Sequence, residues 1–262
     1  MPSEKAGALG YRAAVPNPPD AAPAPRRFDR LDALRGLAMV WMAIFHFSFD
    51  LDHFRFIDHD FRNDPFWTVQ RTCIVTLFLL CAGAGQAIAT AQGQPLERFW
   101  KRWAQVAACA LLVSIASWWM FPRSFISFGV LHGIAVMLIV VRFTASWGLA
   151  LLPLGLLAIA LPHVVQHPAF DSRWLNWTGL VTQLPVTEDY VPVLPWLGVM
   201  WWGAAAARIL LQRAQTLFAA PVPRVLSPLA ALGRWSLSFY MLHQPVLIGI
   251  VAAAAYLLGR AA

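Results

Sequence analysis

Residues 35–50 read RGLAMVWMAIFHFSFD. The run is apolar enough to enter a bilayer, yet Arg35, His46 and Asp50 interrupt it. On a helix, residues 35, 39, 42, 46 and 50 return to one face, because steps of three and four residues complete a turn. At about 1.5 Å per residue, Arg35 and His46 stand about 16 Å apart on that stripe. Ionisable groups facing lipid are costly, so the stripe should face protein or a wet cavity. That makes it a candidate functional site.

Similar runs recur down the chain. Of its 262 residues, 59% are hydrophobic and only 13% charged, and the mean hydropathy is +0.57. Several runs approach or exceed the roughly 18–20 apolar residues that a spanning helix needs. Together these features argue against an ordinary soluble domain. The expected fold is all-α, a polytopic transmembrane helix bundle of about seven spans. The spans fall near residues 31–49, 67–90, 103–121, 127–143, 146–162, 192–211 and 230–258. Residues 1–25, rich in Pro, Ala and Gly, read as a disordered cytoplasmic tail, and 26–262 as one transmembrane domain. The tail lacks the basic start and apolar core of a cleaved signal peptide, so the first span is expected to act as an uncleaved anchor.

The net charge of +7 is explained by membrane topology rather than by nucleic-acid binding. Arg26, Arg27 and Arg30 precede the first span, and Arg98, Lys101, Arg102, Arg142, Arg208, Arg213 and Arg224 fall in alternate connections. Those connections are expected inside, with the N-terminus cytoplasmic. Asp50, Asp52, Asp58, Asp60, Asp64, Asp171, Glu188 and Asp189 concentrate on the other side. Gly83 and Gly85 would permit close helix packing. Cys73, Cys81 and Cys109 lie in apolar stretches and read as buried residues rather than a disulfide framework.

His46 is the leading candidate for chemistry. A neutral imidazole can take a proton from a hydroxyl or amine, and Asp50, one turn on, could orient it. A polar contact to another helix is the plainer alternative. Arg35 could hold a phosphate or carboxylate with its fork of donors, or simply pair with Asp32. Arg98, Lys101 and Arg102 could receive donor phosphates, or serve only topology and anionic lipid. His59, between carboxylates in the polar loop, could cap an acceptor site. His132 could join His46 in one pocket or bond another helix, and His243 and Gln244, beside Pro245, suit a structural or pocket-lining role. No zinc-like ligand spacing appears, so no metal is expected.

The segments RLDALRGLAMVWMAIFHFSFDL, FRFID, LFLLCAGAGQAIA, SFGVLHGIAV and GRWSLSFYMLHQPVL, in that order, resemble the bacterial relatives of heparan-α-glucosaminide N-acetyltransferase. The likeness spans about residues 28–250. Arg35, ten residues and His46 also form the R-x10-H pattern of the wider membrane acyltransferase superfamily, flanked here by D-x-x-RG-x-A. The resemblance implies a multi-pass enzyme of the bacterial inner membrane. It would move an acyl group from cytoplasmic acyl-CoA, acetyl-CoA above all, to a sugar amine or hydroxyl on the outer side. In the lysosomal relatives an asparagine matches His46, and a lumenal histidine a few turns later is the catalytic candidate. His59 is its nearest counterpart, so two histidines compete for that role. This chain is shorter than the lysosomal enzymes, and an envelope glycan is the expected acceptor rather than heparan. A transporter of a small anionic solute and a noncatalytic envelope assembly partner stay open as rival readings, and the oligomeric state is open too.

Overall fold

Apolarity decides which segments become the long helices, and local signals such as a capping Asp or a proline mark where some of them start. The computed structural model describes residues 27–260, so the tail expected over 1–25 lies outside the described residues. In chain order the helices are α1 (Asp29–His53), α2 (Pro65–Ala91), α3 (Leu96–Met120), α4 (Val130–Thr144), α5 (Leu151–Val164), α6 (Val193–Arg213), α7 (Gln215–Phe218), α8 (Ser227–Arg234) and α9 (Ser236–Leu257). Among the described residues there is no strand, and the protein is a multi-pass helical bundle.

Asp64 caps α2 by accepting the Phe66 N–H at 2.8 Å, and Pro65 fills the first turn, where its missing N–H is not needed. α3 begins at Leu96 rather than near 103. Its start is marked by Pro95 and first-turn Glu97, signals that apolarity alone does not register. Arg98, Lys101 and Arg102 are therefore helical residues, not part of a turn. The last expected span is also divided, with α8 and α9 separated at Trp235.

Six helical stretches are long and apolar enough to cross a membrane, and one of them is the 35-residue run Val130–Val164. That run turns back at Ala145–Ala150, where Gly148 has φ 65°, a conformation that favours glycine. Its two arms follow α6 in opposite directions. Along α4, Val130 N–H meets Asp189 at 2.6 Å and Thr144 meets Trp201 at 2.9 Å. Past the bend, Arg208 donates to Ser146 O at 3.1 Å, Trp202 donates to Leu152 O at 3.0 Å, and Gly155 packs on Gly198. The chain thus makes two short passes here. α4, with 15 residues, is about 22 Å long against a hydrocarbon core of about 30 Å.

Alternating passes sort the connections onto two ends. One, the basic end, gathers Arg27, Arg35, Arg98, Lys101, Arg102, Arg142, Arg208, Arg213, Arg224 and Arg234. The other, the acidic end, gathers Asp52, Asp58, Asp60, Asp64, Asp171, Glu188 and Asp189. Small residues permit the closest crossings. A Cβ on Gly83 of α2 would stand 1.9 Å from Met200 O of α6, and one on Gly233 of α8 would stand 1.8 Å from Asp32 O of α1. The second crossing holds Arg234 and the start of α9 beside Arg35. Gly85 faces the Arg35 guanidinium instead of a neighbouring backbone.

Candidate functional site

The seam between α1 and α9 carries a buried polar cluster. α1 supplies His46 and Asp50, one turn apart, and α9 supplies His243 and Gln244. Asp50 is 1% exposed, and its Oδ1 accepts a hydrogen bond from Gln244 Nε2 at 2.8 Å. The rings of His46 and His243 lie 5.2 Å apart. Phe239 stacks on His243 at 5.6 Å, and His243 Nδ1 stands 2.7 Å from Tyr240 O. A carbonyl only accepts, so Nδ1 carries the proton, and in the neutral ring Nε2 is the lone-pair nitrogen. Among the described residues no hydrogen bond joins Asp50 to His46. Asp50 is held by Gln244 of α9 instead.

Among the described residues, three buried atoms of this cluster find no hydrogen-bond partner: Asp50 Oδ2, His243 Nε2 and Gln244 Oε1. Each such atom costs about 1–3 kcal/mol. With Asp50 ionised all three are acceptors, so their complement is a group rich in N–H or O–H donors. A primary amine or a sugar hydroxyl has that character.

On the basic side of the cluster lies a cavity of about 270 Å³. Ligand pockets run from about 300 to 1,000 Å³, so it suits one arm of a large ligand rather than the whole of it. Its outer lining includes Arg35, Arg102, Arg234 and Gln94, and its inner end is formed by Phe78, Val106, Leu131 and Tyr240. Arg35 donates to Asp32 at 2.7 Å and lies 3.5 Å from Cys81 O, so its guanidinium is positioned before any ligand arrives. A second cavity of about 240 Å³ shares Arg35 and Arg234 and adds Arg27. The Tyr240 ring is 5.6 Å from His243, so the inner end of the larger cavity stops one helical turn from the histidine pair.

The remaining candidates fall elsewhere. Arg98 and Lys101 are exposed and do not line either cavity, whereas Arg102, on the same helix, does. His59 sits in the loop after α1, its N–H bonded to Asp52 at 2.8 Å. Its ring is separated from His46 by two intervening rings, Trp67 at 5.7 Å or Phe61 at 6.4 Å, and then Phe45. His132 accepts from Gly129 N–H at 3.3 Å, and its Nε2 lies 3.1 Å from Ser114 Oγ, which itself donates to Ile126 O at 2.6 Å. Both ring nitrogens are therefore engaged in pinning the start of α4 to α3. Among the described residues no group of three or more His, Cys, Asp or Glu side chains could hold a metal ion.

Sequence reasoning did not single out Tyr240, Arg234 or Gln86, whose buried Oε1 also lacks a partner. Tyr240 was within reach, since it precedes His243 by three residues on one helix face. At the acidic end, Asp189, in the loop between α5 and α6, caps α4, and burial pushes its carboxyl above the ordinary value. Tyr190 donates to Asn176 O at 2.7 Å, and burial pushes its hydroxyl up to about 12.

Residues 27–245 match the family model described as heparan-alpha-glucosaminide N-acetyltransferase, catalytic. No curated protein and no solved structure matches the chain.

Proposed function

Since the chain belongs to the heparan-alpha-glucosaminide N-acetyltransferase catalytic family, we propose that it is a membrane acetyltransferase working across the bilayer. The donor is acetyl-CoA, held at the basic end, which faces the cytoplasm of a bacterial inner membrane together with the N-terminus. The acceptor is a sugar amine or hydroxyl of an envelope glycan, arriving from the acidic end. Positive-inside bias supports this orientation.

Arg35 and Arg102 hold donor phosphates, joined by Arg234, while the acyl-bearing arm enters the larger cavity. Asp50, His243 and Gln244 receive the acceptor's N–H or O–H groups with their unpaired atoms. His46 takes the proton as the acceptor attacks the thioester carbon. The carbonyl electron pair moves onto oxygen. When it returns, the C–S bond breaks and the thiolate leaves, taking the proton from His46. The products are the acylated sugar and free CoA thiol, and no acyl-histidine is required.

The observation that carries this reading is the approach of a cavity to a buried polar cluster. A cavity rimmed by arginines stops one turn from buried acceptors that lack donors. His46 is favoured over His59 as the base because it belongs to that cluster. His59, in its loop, is suited to guiding the acceptor inward.

Purified protein, labelled acetyl-CoA and an oligosaccharide bearing free amines test the assignment. Transfer should require His46 and be only partly reduced by His59→Ala. Retained transfer in His46→Ala with loss in His59→Ala would reverse the two roles. Flux of a small anion without thioester cleavage would replace the enzyme with a transporter.

A further inference from the structure

We propose that Tyr240 is a catalytic residue whose hydroxyl donates the hydrogen bond that holds the thioester carbonyl oxygen as negative charge develops on it. The proposal rests on the acyl-transfer reading above and adds the oxyanion-stabilising group that reading lacks. A tyrosine hydroxyl inside a protein ordinarily finds a partner. Among the described residues the Tyr240 hydroxyl has none, although its ring is packed beside Met39 and Met42 of α1.

Position supplies the rest. Tyr240 lines the inner end of the larger cavity, where Phe78, Val106 and Leu131 offer only apolar side chains. A carbonyl oxygen delivered there meets a single side-chain donor from these four residues. The peptide oxygen of Tyr240 is bonded to His243 Nδ1 at 2.7 Å, and the two rings lie 5.6 Å apart. One turn of α9 thus fixes the donor to the acyl oxygen relative to the cluster that receives the acceptor. The step balances: the acceptor's lone pair forms the new bond to carbon, and the carbonyl pair moves to an oxygen held by Tyr240 O–H. His46 carries the acceptor's proton and returns it to the departing thiolate. In a water-poor pocket such a prepositioned donor is far more effective than in water.

The test is Tyr240→Phe in the full chain, purified in nanodiscs and assayed with acetyl-CoA and an amine-bearing oligosaccharide. Tyr256→Phe, exposed near the far end of α9, is the control. Removing one oxyanion donor lowers kcat by about 100- to 1,000-fold. Tyr240→Phe should show that loss with KM for acetyl-CoA within about twofold of the unsubstituted protein, because the donor contact strengthens only as charge develops. A purely structural tyrosine would instead alter the melting temperature or KM. A rate within about threefold of the unsubstituted protein, alongside an inactive His46→Ala, would overturn this proposal and leave the acyl-transfer reading standing. No transfer by the unsubstituted protein would overturn both.

Discussion

Replacing Asp50 with Asn should stabilise the protein while removing its activity. Asp50 is 1% exposed, its Oδ1 already accepts from Gln244, and its Oδ2 has no partner among the described residues. An asparagine of the same shape keeps the accepting oxygen. It also puts an N–H donor where the unpaired oxygen stood, next to a cluster that includes Gln244 Oε1 and His243 Nε2, both unpaired. Hydrogen bonds between membrane helices are worth about 0.6 kcal/mol on average and up to about 1.7. Removing a buried ionised oxygen adds to that gain. A net stabilisation of about 1–2 kcal/mol corresponds to a rise in Tm of about 2–8 °C for a chain of this size. Transfer should fall by about 100-fold or more, because the donor that heals the cluster also occupies the acceptors meant for substrate. Tryptophan fluorescence during thermal unfolding, run beside the acetyl-transfer assay, reads both effects. A lower Tm with transfer retained would show that the unpaired atoms are satisfied in the resting protein, and the acceptor-site argument would fail.

Other consequences follow from single residues. His46→Ala should cut transfer by about 100- to 10,000-fold, the span of general-base catalysis, with Tm little changed; a rate near normal would move the base elsewhere. Phe78→Ala should widen the inner end of the larger cavity, so the preference for acetyl over propionyl donor should weaken by about 10-fold or more. An unchanged donor series would place the acyl group outside that end. Asp189 binds protons more tightly folded than unfolded, so the stability it contributes is greatest at low pH. That contribution is lost as pH rises from the ordinary carboxylate range through its elevated value. Asp189→Asn should therefore flatten the dependence of Tm on pH in that window, and an unchanged slope would assign it to another group. Gly83→Ala should force α2 and α6 apart and destabilise by about 1–3 kcal/mol, visible as a lower Tm in detergent; a Tm equal to that of the unsubstituted protein would refute the close crossing.

The parts of the fold governed by apolarity were legible in the sequence. α1, α2 and α6 fall where long apolar runs fall, and Arg35, His46 and Asp50 share one side of α1 as the helical period requires. The start of α3 was missed because Pro95 and Glu97, not hydrophobicity, define it. The break at Trp235 was missed because apolarity alone reads the segment as one span, although Gly233, Arg234 and Ser236 flank it. The site was legible only in part. His46 and Asp50 could be paired from spacing, but the partner of Asp50 is Gln244, 194 residues away, and nothing local announces such a contact. Likewise a basic cluster on one helix does not reveal which members turn inward. Arg102 lines the cavity and Arg98 and Lys101 do not, because the helical rotation of α3 is set by packing such as the Trp103 bond to Ala135 O.

A structure of the protein with a non-hydrolysable thioether analogue of acetyl-CoA tests the central claim most directly. The analogue's acyl carbonyl should lie at the inner end of the larger cavity, within hydrogen-bond reach of the Tyr240 hydroxyl and facing His46, with its phosphates on Arg35, Arg102 and Arg234. An analogue bound at the acidic end, or one whose acyl group stops among the arginines a full helical turn or more short of Tyr240, would contradict it.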